Sequence, residues 1–130
     1  MFKKTLLACT LCIIPFAVNA DDQANLHIIN MTIVPQGFLS LAKVQVIDKV
    51  YEVDSIGFND NHDVTAIIPA NENAWVNINQ WLFGNGIHTV DPSCNNIMVN
   101  AKPGETKTML IRGLPTDYIN SDSKIVCSIN

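Results

Sequence analysis

The sequence is poor in positive charge. Its 130 residues include 8 Lys and Arg against 12 Asp and Glu, which gives a net charge of −4 at pH 7 with neutral histidines. Proteins that bind nucleic acid or anionic lipid concentrate basic side chains on one face, because these ligands carry rows of phosphates. The acidic balance therefore argues against nucleic acid as a partner and against an anionic membrane surface.

Catalytic and cofactor motifs are also missing from residues 21–130. This region contains no Gly-x-Ser-x-Gly nucleophile elbow, no His-x-x-x-His and no Cys-x-x-Cys. Its histidines, His27, His62 and His88, are scattered, and neither of its cysteines is followed closely by both the His and the Met of a blue-copper site. We therefore expect no metal and no cofactor, and the sequence identifies no catalytic residue.

Long apolar runs are absent outside the N-terminus. There, two lysines precede an apolar run over positions 5–18, and the small residue Ala20 follows. This order is typical of a secretory signal peptide, and the run is shorter than the roughly 20 apolar residues that span a bilayer. The sequence predicts that residues 1–20 are a cleaved signal and that the protein is periplasmic or secreted, with no stable membrane span. A lipoprotein is the alternative, but Cys9 lies too early in the run for it.

Cleavage after Ala20 leaves residues 21–130, enough chain for one domain. Six basic residues then stand against twelve acids, for a net charge of −6. Two cysteines remain, Cys94 and Cys127, and an even pair in an exported chain predicts a disulfide. A loop of this length stabilises the fold by roughly 3–4 kcal/mol if the effect is entropic. The alternative is two unpaired thiols in the core.

The remaining chain alternates short apolar runs with turn-forming residues at intervals of about 8–15 residues, which is typical of a β-sandwich or barrel. We predict an all-β sandwich of roughly seven or eight strands, with an immunoglobulin-like arrangement as one form of it. One run is ambiguous: residues 41–53 fit a strand with a bulge near Asp48, or a short helix over Ala42–Tyr51. The predicted strands are Leu26–Val34, Leu41–Val53, Val64–Ile68, Ala74–Phe83, Ile87–Val90, Asn96–Ala101, Thr106–Arg112 and Lys124–Ile129.

The best candidate for a binding site lies in the predicted strand Ala74–Phe83. Strict alternation would place Trp75, Asn77, Asn79 and Trp81 on one face, opposite an apolar face. Indole rings stack on sugars or apolar groups, and carboxamides both donate and accept hydrogen bonds. This pattern predicts a surface that binds a protein or a glycan. The alternative is that both tryptophans pack in the interior.

An acidic loop is the other candidate. Residues 59–63 read Asn-Asp-Asn-His-Asp, with Asp54 upstream, so oxygen ligands are concentrated there. An EF-hand also needs a central Gly and a distal Glu, and both are missing. We interpret the segment as a solvated turn.

Three functional hypotheses follow. The leading one is an exported, non-enzymatic binding module of a bacterial envelope or secretome, with an unknown protein or glycan as its partner. The second is a small secreted hydrolase, for which His88, Asp91 and Ser93 are the nearest group of suitable side chains. The third is a structural envelope component or an inhibitor, which would oligomerise or use a protruding loop such as Gly84–Cys94.

Overall fold

The computed structural model describes residues 22–35, 38, 40–55, 63–84, 86–114, 117–120 and 122–130. These residues form nine β-strands and one 3₁₀ turn, Pro92–Cys94, so the predicted all-β fold is confirmed. The strands are β1 (Gln23–Asn30), β2 (Ser40–Val46), β3 (Lys49–Asp54), β4 (Asp63–Pro69), β5 (Asn73–Phe83), β6 (Gly86–His88), β7 (Ile97–Asn100), β8 (Thr106–Leu114) and β9 (Lys124–Ile129).

The strands form two sheets that pack as a sandwich. The four-stranded sheet has the order β4-β1-β8-β9, and the five-stranded sheet has the order β3-β2-β5-β6 with β7 also pairing with β5. β6 and β7 lie end to end along the same edge of β5. β1 and β8 are parallel, and every other named pair is antiparallel. Because β1 lies between β4 and β8, the strand order departs from the immunoglobulin pattern.

The ambiguous run over residues 41–53 is neither a bulged strand nor a helix. It is a tight hairpin, in which Val46 pairs with Lys49 and residues 47 and 48 form the turn. Ile47 has φ 60°, a left-handed conformation that is unfavourable for a β-branched residue. The sequence signal was weak because such turns ordinarily contain Gly, Asn or Asp at that position.

The core lies between the sheets and follows the strand alternation. Leu26 and Ile28 of β1 and Met109 of β8 line one side, while Val44 of β2 and Val76 of β5 line the other, and all five are fully buried. Each strand that contributes to this core therefore has an inner and an outer face. Sites for a partner lie on the outer faces or at the sheet edges.

Covalent and polar contacts join the sheets on both sides of the sandwich. The predicted disulfide is confirmed: Cys94 of the 3₁₀ turn is bonded to Cys127 of β9, with the Cα atoms 5.0 Å apart. The alternative of unpaired core thiols is therefore wrong. On the opposite side, the buried Asn30 side chain donates a 3.1 Å hydrogen bond to the Val53 carbonyl of β3.

Some predictions concern residues outside the described ranges. These are the signal peptide over residues 1–20, the positions 59–62 of the acidic loop, and His62. Within the described ranges, no helix has the length and apolar composition that a membrane crossing requires.

Candidate functional site

The side chains of β5 change face at a β-bulge. Val44 pairs with Ile78 while its neighbour Lys43 pairs with Gln80, so Asn79 is an extra residue on β5. Asn79 and Gln80 consequently both lie on the outer side, and Trp81 turns inward. The prediction that Trp81 shares a face with Trp75 is wrong, because strict alternation does not continue through a bulge.

Trp81 is a core residue with no exposed surface. Its indole Nε1–H donates a 3.0 Å hydrogen bond to Ser40 Oγ, and its ring lies near those of Phe83 (6.1 Å between centroids) and His88 (5.3 Å). A buried indole of this kind needs a polar partner, which Ser40 provides. Trp81 therefore closes one end of the core and does not contact external ligands.

Trp75 lies on the outer face in an exposed apolar group. It pairs with Met98 of β7 on one side, and its carbonyl accepts a 2.9 Å hydrogen bond from the Ile47 amide on the other. Val50 lies in the next row of the same face, opposite Gln45. Ile47, Val50, Trp75 and Met98 are 45%, 50%, 50% and 53% exposed. We call these four residues the Trp75 surface.

Carboxamides surround the Trp75 surface. Asn79 donates to Gln45 at 3.0 Å, and Gln45 donates to the Ile47 carbonyl at 3.0 Å. Asn77 accepts from the Asn96 amide at 2.6 Å. These bonds hold side chains of the rim in place before any partner arrives. We call the rim residues the carboxamide rim; they are Gln45, Asn73, Asn77, Asn79 and Asn100.

The charged side chains on the outer face near Trp75 lie away from the indole, and the exposed Asp48 lies at the edge of the face, in the turn beside Ile47. Along the strands of this sheet, the charged side chains on the open part of the face are Lys43 and Glu52, which pair at 3.8 Å. They lie two rows from Trp75, about 13 Å along the strands. Exposed apolar side chains with a neutral polar rim can contact another uncharged surface without a large desolvation cost.

The hydrolase candidates are not assembled as a catalytic group. Asp91 accepts from the Ser93 amide at 2.9 Å as the N-cap of the 3₁₀ turn, and Ser93 Oγ accepts from the Cys127 amide at 3.0 Å. His88 Nε2 instead contacts the Phe83 carbonyl at 3.2 Å. The hydrogen bond from the Ser93 backbone is the main cause that lowers the pKa of Asp91 below its ordinary value. Asp91 and Ser93 thus have structural roles.

A His–carboxylate pair that sequence analysis did not identify lies on the four-stranded sheet. His27 Nε2 and Asp63 Oδ2 are 2.9 Å apart, and Thr65 and Thr108 lie opposite His27 on the neighbouring strands. The side chains of His27 and Asp63 are 33% and 45% exposed. A side-chain contact this open contributes little to stability. The residues are 36 positions apart, so no spacing rule brings them together.

Metal and cavity candidates are few in the described ranges. They contain no group of three His, Cys, Asp or Glu side chains that could hold a metal ion. A shallow, mainly apolar hollow of about 220 Å³ lies beside the end of β4, on the other sheet from Trp75. It is lined by Asp22, Gln23, Ile67, Ile68 and Pro69.

Comparison with known proteins assigns no family to this fold. No protein-family model matches the chain, and no curated protein sequence matches it significantly. The candidate site therefore depends on the geometry of the Trp75 surface. Sequence analysis found Trp75, Asn77 and Asn79 but missed Ile47, Val50 and Met98, whose contribution depends on which strands pair.

Proposed function

We propose that this protein is a non-enzymatic interaction module that binds another protein through the Trp75 surface. The observation that carries the proposal is the alignment of Ile47, Trp75 and Met98 in one row across the β2–β3 turn, β5 and β7, each about half exposed. The largest contiguous apolar patch on a soluble monomer is often a functional surface. The confirmed disulfide is compatible with a site of action in the envelope or outside the cell.

The composition of the patch favours a protein over a glycan. A sugar chain is bound mainly by stacking on aromatic rings, and Trp81 is too deeply buried to provide a second platform. The other side chains of the Trp75 surface are instead aliphatic, those of Ile47 and Val50, or carry a thioether, that of Met98. Trp and Met are enriched at the centres of protein interfaces, where polar residues form the rim. The Trp75 surface and its carboxamide rim have this composition.

The test compares one exposed apolar residue on each of the two sheets. Trp75→Ala removes the centre of the proposed contact, and Ile67→Ala removes a side chain that is 63% exposed on the outer face of β4. A partner is first isolated from an envelope extract on immobilised protein, identified and purified. Its affinity is then measured by calorimetry for the parent chain and both variants, beside a panel of neutral glycans.

We expect the purified partner to bind the parent and the Ile67 variant equally and the Trp75 variant at least about tenfold more weakly, since an interface Trp typically contributes 2 kcal/mol or more. Equal binding by all three proteins would exclude the Trp75 surface as the contact. Glycan binding that requires Trp75 would contradict a protein partner and make the surface a lectin-like site.

A further inference from the structure

We infer that the partner of the Trp75 surface is a second copy of this chain, an inference that rests on the proposed function. The first reason is electrostatic. The chain carries a net charge of −4, so two copies repel each other on average. Along the strands of the outer face around Trp75, the charged side chains are the compensating pair Lys43 and Glu52, which lies away from the indole, and the exposed Asp48 lies at the edge, in the turn beside Ile47. Two such faces can therefore meet at the indole without placing charges of the same sign there.

The second reason is the conformation of Ile47. Its φ of 60° is one that Gly, Asn or Asp adopt more readily, and its side chain is nearly half exposed. A strained residue persists when something else compensates for the strain. Within one copy, the Ile47 amide donates to the Trp75 carbonyl and the Ile47 carbonyl accepts from Gln45, and a contact that covers the exposed side chain from outside adds to this compensation.

The third reason is self-complementarity. In a two-fold dimer the same patch is used by both copies. A two-fold axis parallel to the strands and passing beside Trp75 places Ile47 of one copy opposite Met98 of the other, and the two indoles side by side. The carboxamide rim suits this arrangement, since each carboxamide both donates and accepts. Carboxamides of the two copies can therefore pair with each other.

The size of the patch predicts a weak dimer. Four side chains that are each about half exposed offer on the order of 400 Å² per copy, against the roughly 800 Å² per partner of a stable interface. The carboxamide rim adds polar area but little affinity. We therefore expect reversible dimerisation with a dissociation constant in the micromolar to millimolar range.

The experiment is sedimentation equilibrium of the disulfide-bonded protein over a concentration series that reaches millimolar. Three variants accompany the parent: Trp75→Asp, Ile47→Asn, and Ile67→Asp as the matched control on the other sheet. Trp75→Asp places two carboxylates together near the axis, so we expect dimerisation to weaken by at least about tenfold. Ile47→Asn should weaken it less, and Ile67→Asp, which adds the same charge on the other sheet, should weaken it only slightly. Added salt should strengthen the dimer, because it screens the net repulsion.

Two results would overturn the inference: a monomer at every concentration, or a dimer that Trp75→Asp does not affect. Weaker dimerisation at high salt would also contradict it, since that dependence indicates an interface held by ion pairs. A monomer that still binds a purified envelope protein through Trp75 would remove this inference and leave the proposed function standing. Circular dichroism of each variant confirms that a lost dimer is not lost folding.

Discussion

The two halves of β5 use the same residue type in opposite ways. Before the bulge at Asn79, Trp75 points outward among exposed apolar neighbours, and after it, Trp81 points inward to the aromatic rings at the end of the core. One extra residue in the strand makes this difference, because each side chain beyond it changes face. Two tryptophans six positions apart therefore differ in environment: Trp81 is buried in the core, and Trp75 is half exposed on the outer face.

The difference between Trp75 and Trp81 is tested most directly by truncating each indole. Trp81→Ala leaves a large cavity in the core, and we expect it to lower the free energy of unfolding by about 3–5 kcal/mol. Trp75→Ala removes a half-exposed side chain and should change that free energy by less than about 1 kcal/mol. Urea denaturation followed by circular dichroism measures both. Similar losses for the two variants would show that Trp75 also belongs to the core.

A second test concerns the hydrogen bond that holds Trp81. Ser40→Ala leaves the buried indole N–H without its partner, and we expect a loss of roughly 1–3 kcal/mol. Ser55 is the matched control: it is equally buried, and its hydroxyl has no hydrogen-bond partner within the described part of the chain. Ser55→Ala should be neutral or slightly stabilising. Equal losses in the two serine variants, measured by urea denaturation, would contradict a specific role for the Ser40–Trp81 bond.

Local patterns predicted the fold well because a β-sandwich repeats one rule many times. Short apolar runs between turn-forming residues identified strands such as β4 and β7, and two cysteines in an exported chain predicted their disulfide. The hairpin at Ile47 was missed because Ile occupies the first turn position, where Gly, Asn or Asp is usual, and Asp48 alone is a weak turn signal. Here tertiary packing determines the turn, and local propensity opposes it.

The site was predicted only in part, and the errors share a cause. A period-2 pattern places Trp75, Asn77 and Asn79 on one face, as the structure does. It does not reveal the bulge that moves Trp81, since the extra residue is defined by pairing with β2. Nor does it reveal that Ile47 and Met98 flank Trp75, because those contacts join separate strands. Strand pairing joins residues that are far apart in the sequence, so a local pattern within one strand does not show it.

A third test concerns Ile47, the turn residue with positive φ beside Trp75. Asn adopts a positive φ more readily than Ile, so Ile47→Asn relieves strain while losing a partly buried side chain. We expect the free energy of unfolding to stay constant or to rise by up to about 1 kcal/mol. Val50→Asn is the matched control, since Val50 is about as exposed and is not among the residues with positive φ. It should give no gain. A clear loss on Ile47→Asn would show that the side chain stabilises the single copy, and the strain argument for a partner would fail.

The smallest expected effect is a change in stability at acid pH. It comes from two carboxyl groups outside the Trp75 surface, those of Asp91 and Glu105. The pKa of Asp91 is lowered chiefly by the Ser93 backbone amide, and that of Glu105 chiefly by the Lys102 backbone amide. A carboxyl whose pKa is lower in the folded state stabilises the fold above its ordinary pKa, and this contribution is lost as the pH falls through the folded value. Stability should therefore decline slightly below about pH 4, where Asp and Glu begin to protonate. The double variant Asp91→Asn, Glu105→Gln should show a smaller decline in its urea midpoint over that range. Neither residue lies on the outer face around Trp75, and the double variant removes two negative charges per copy, so its dimerisation at neutral pH should equal that of the parent or be slightly stronger.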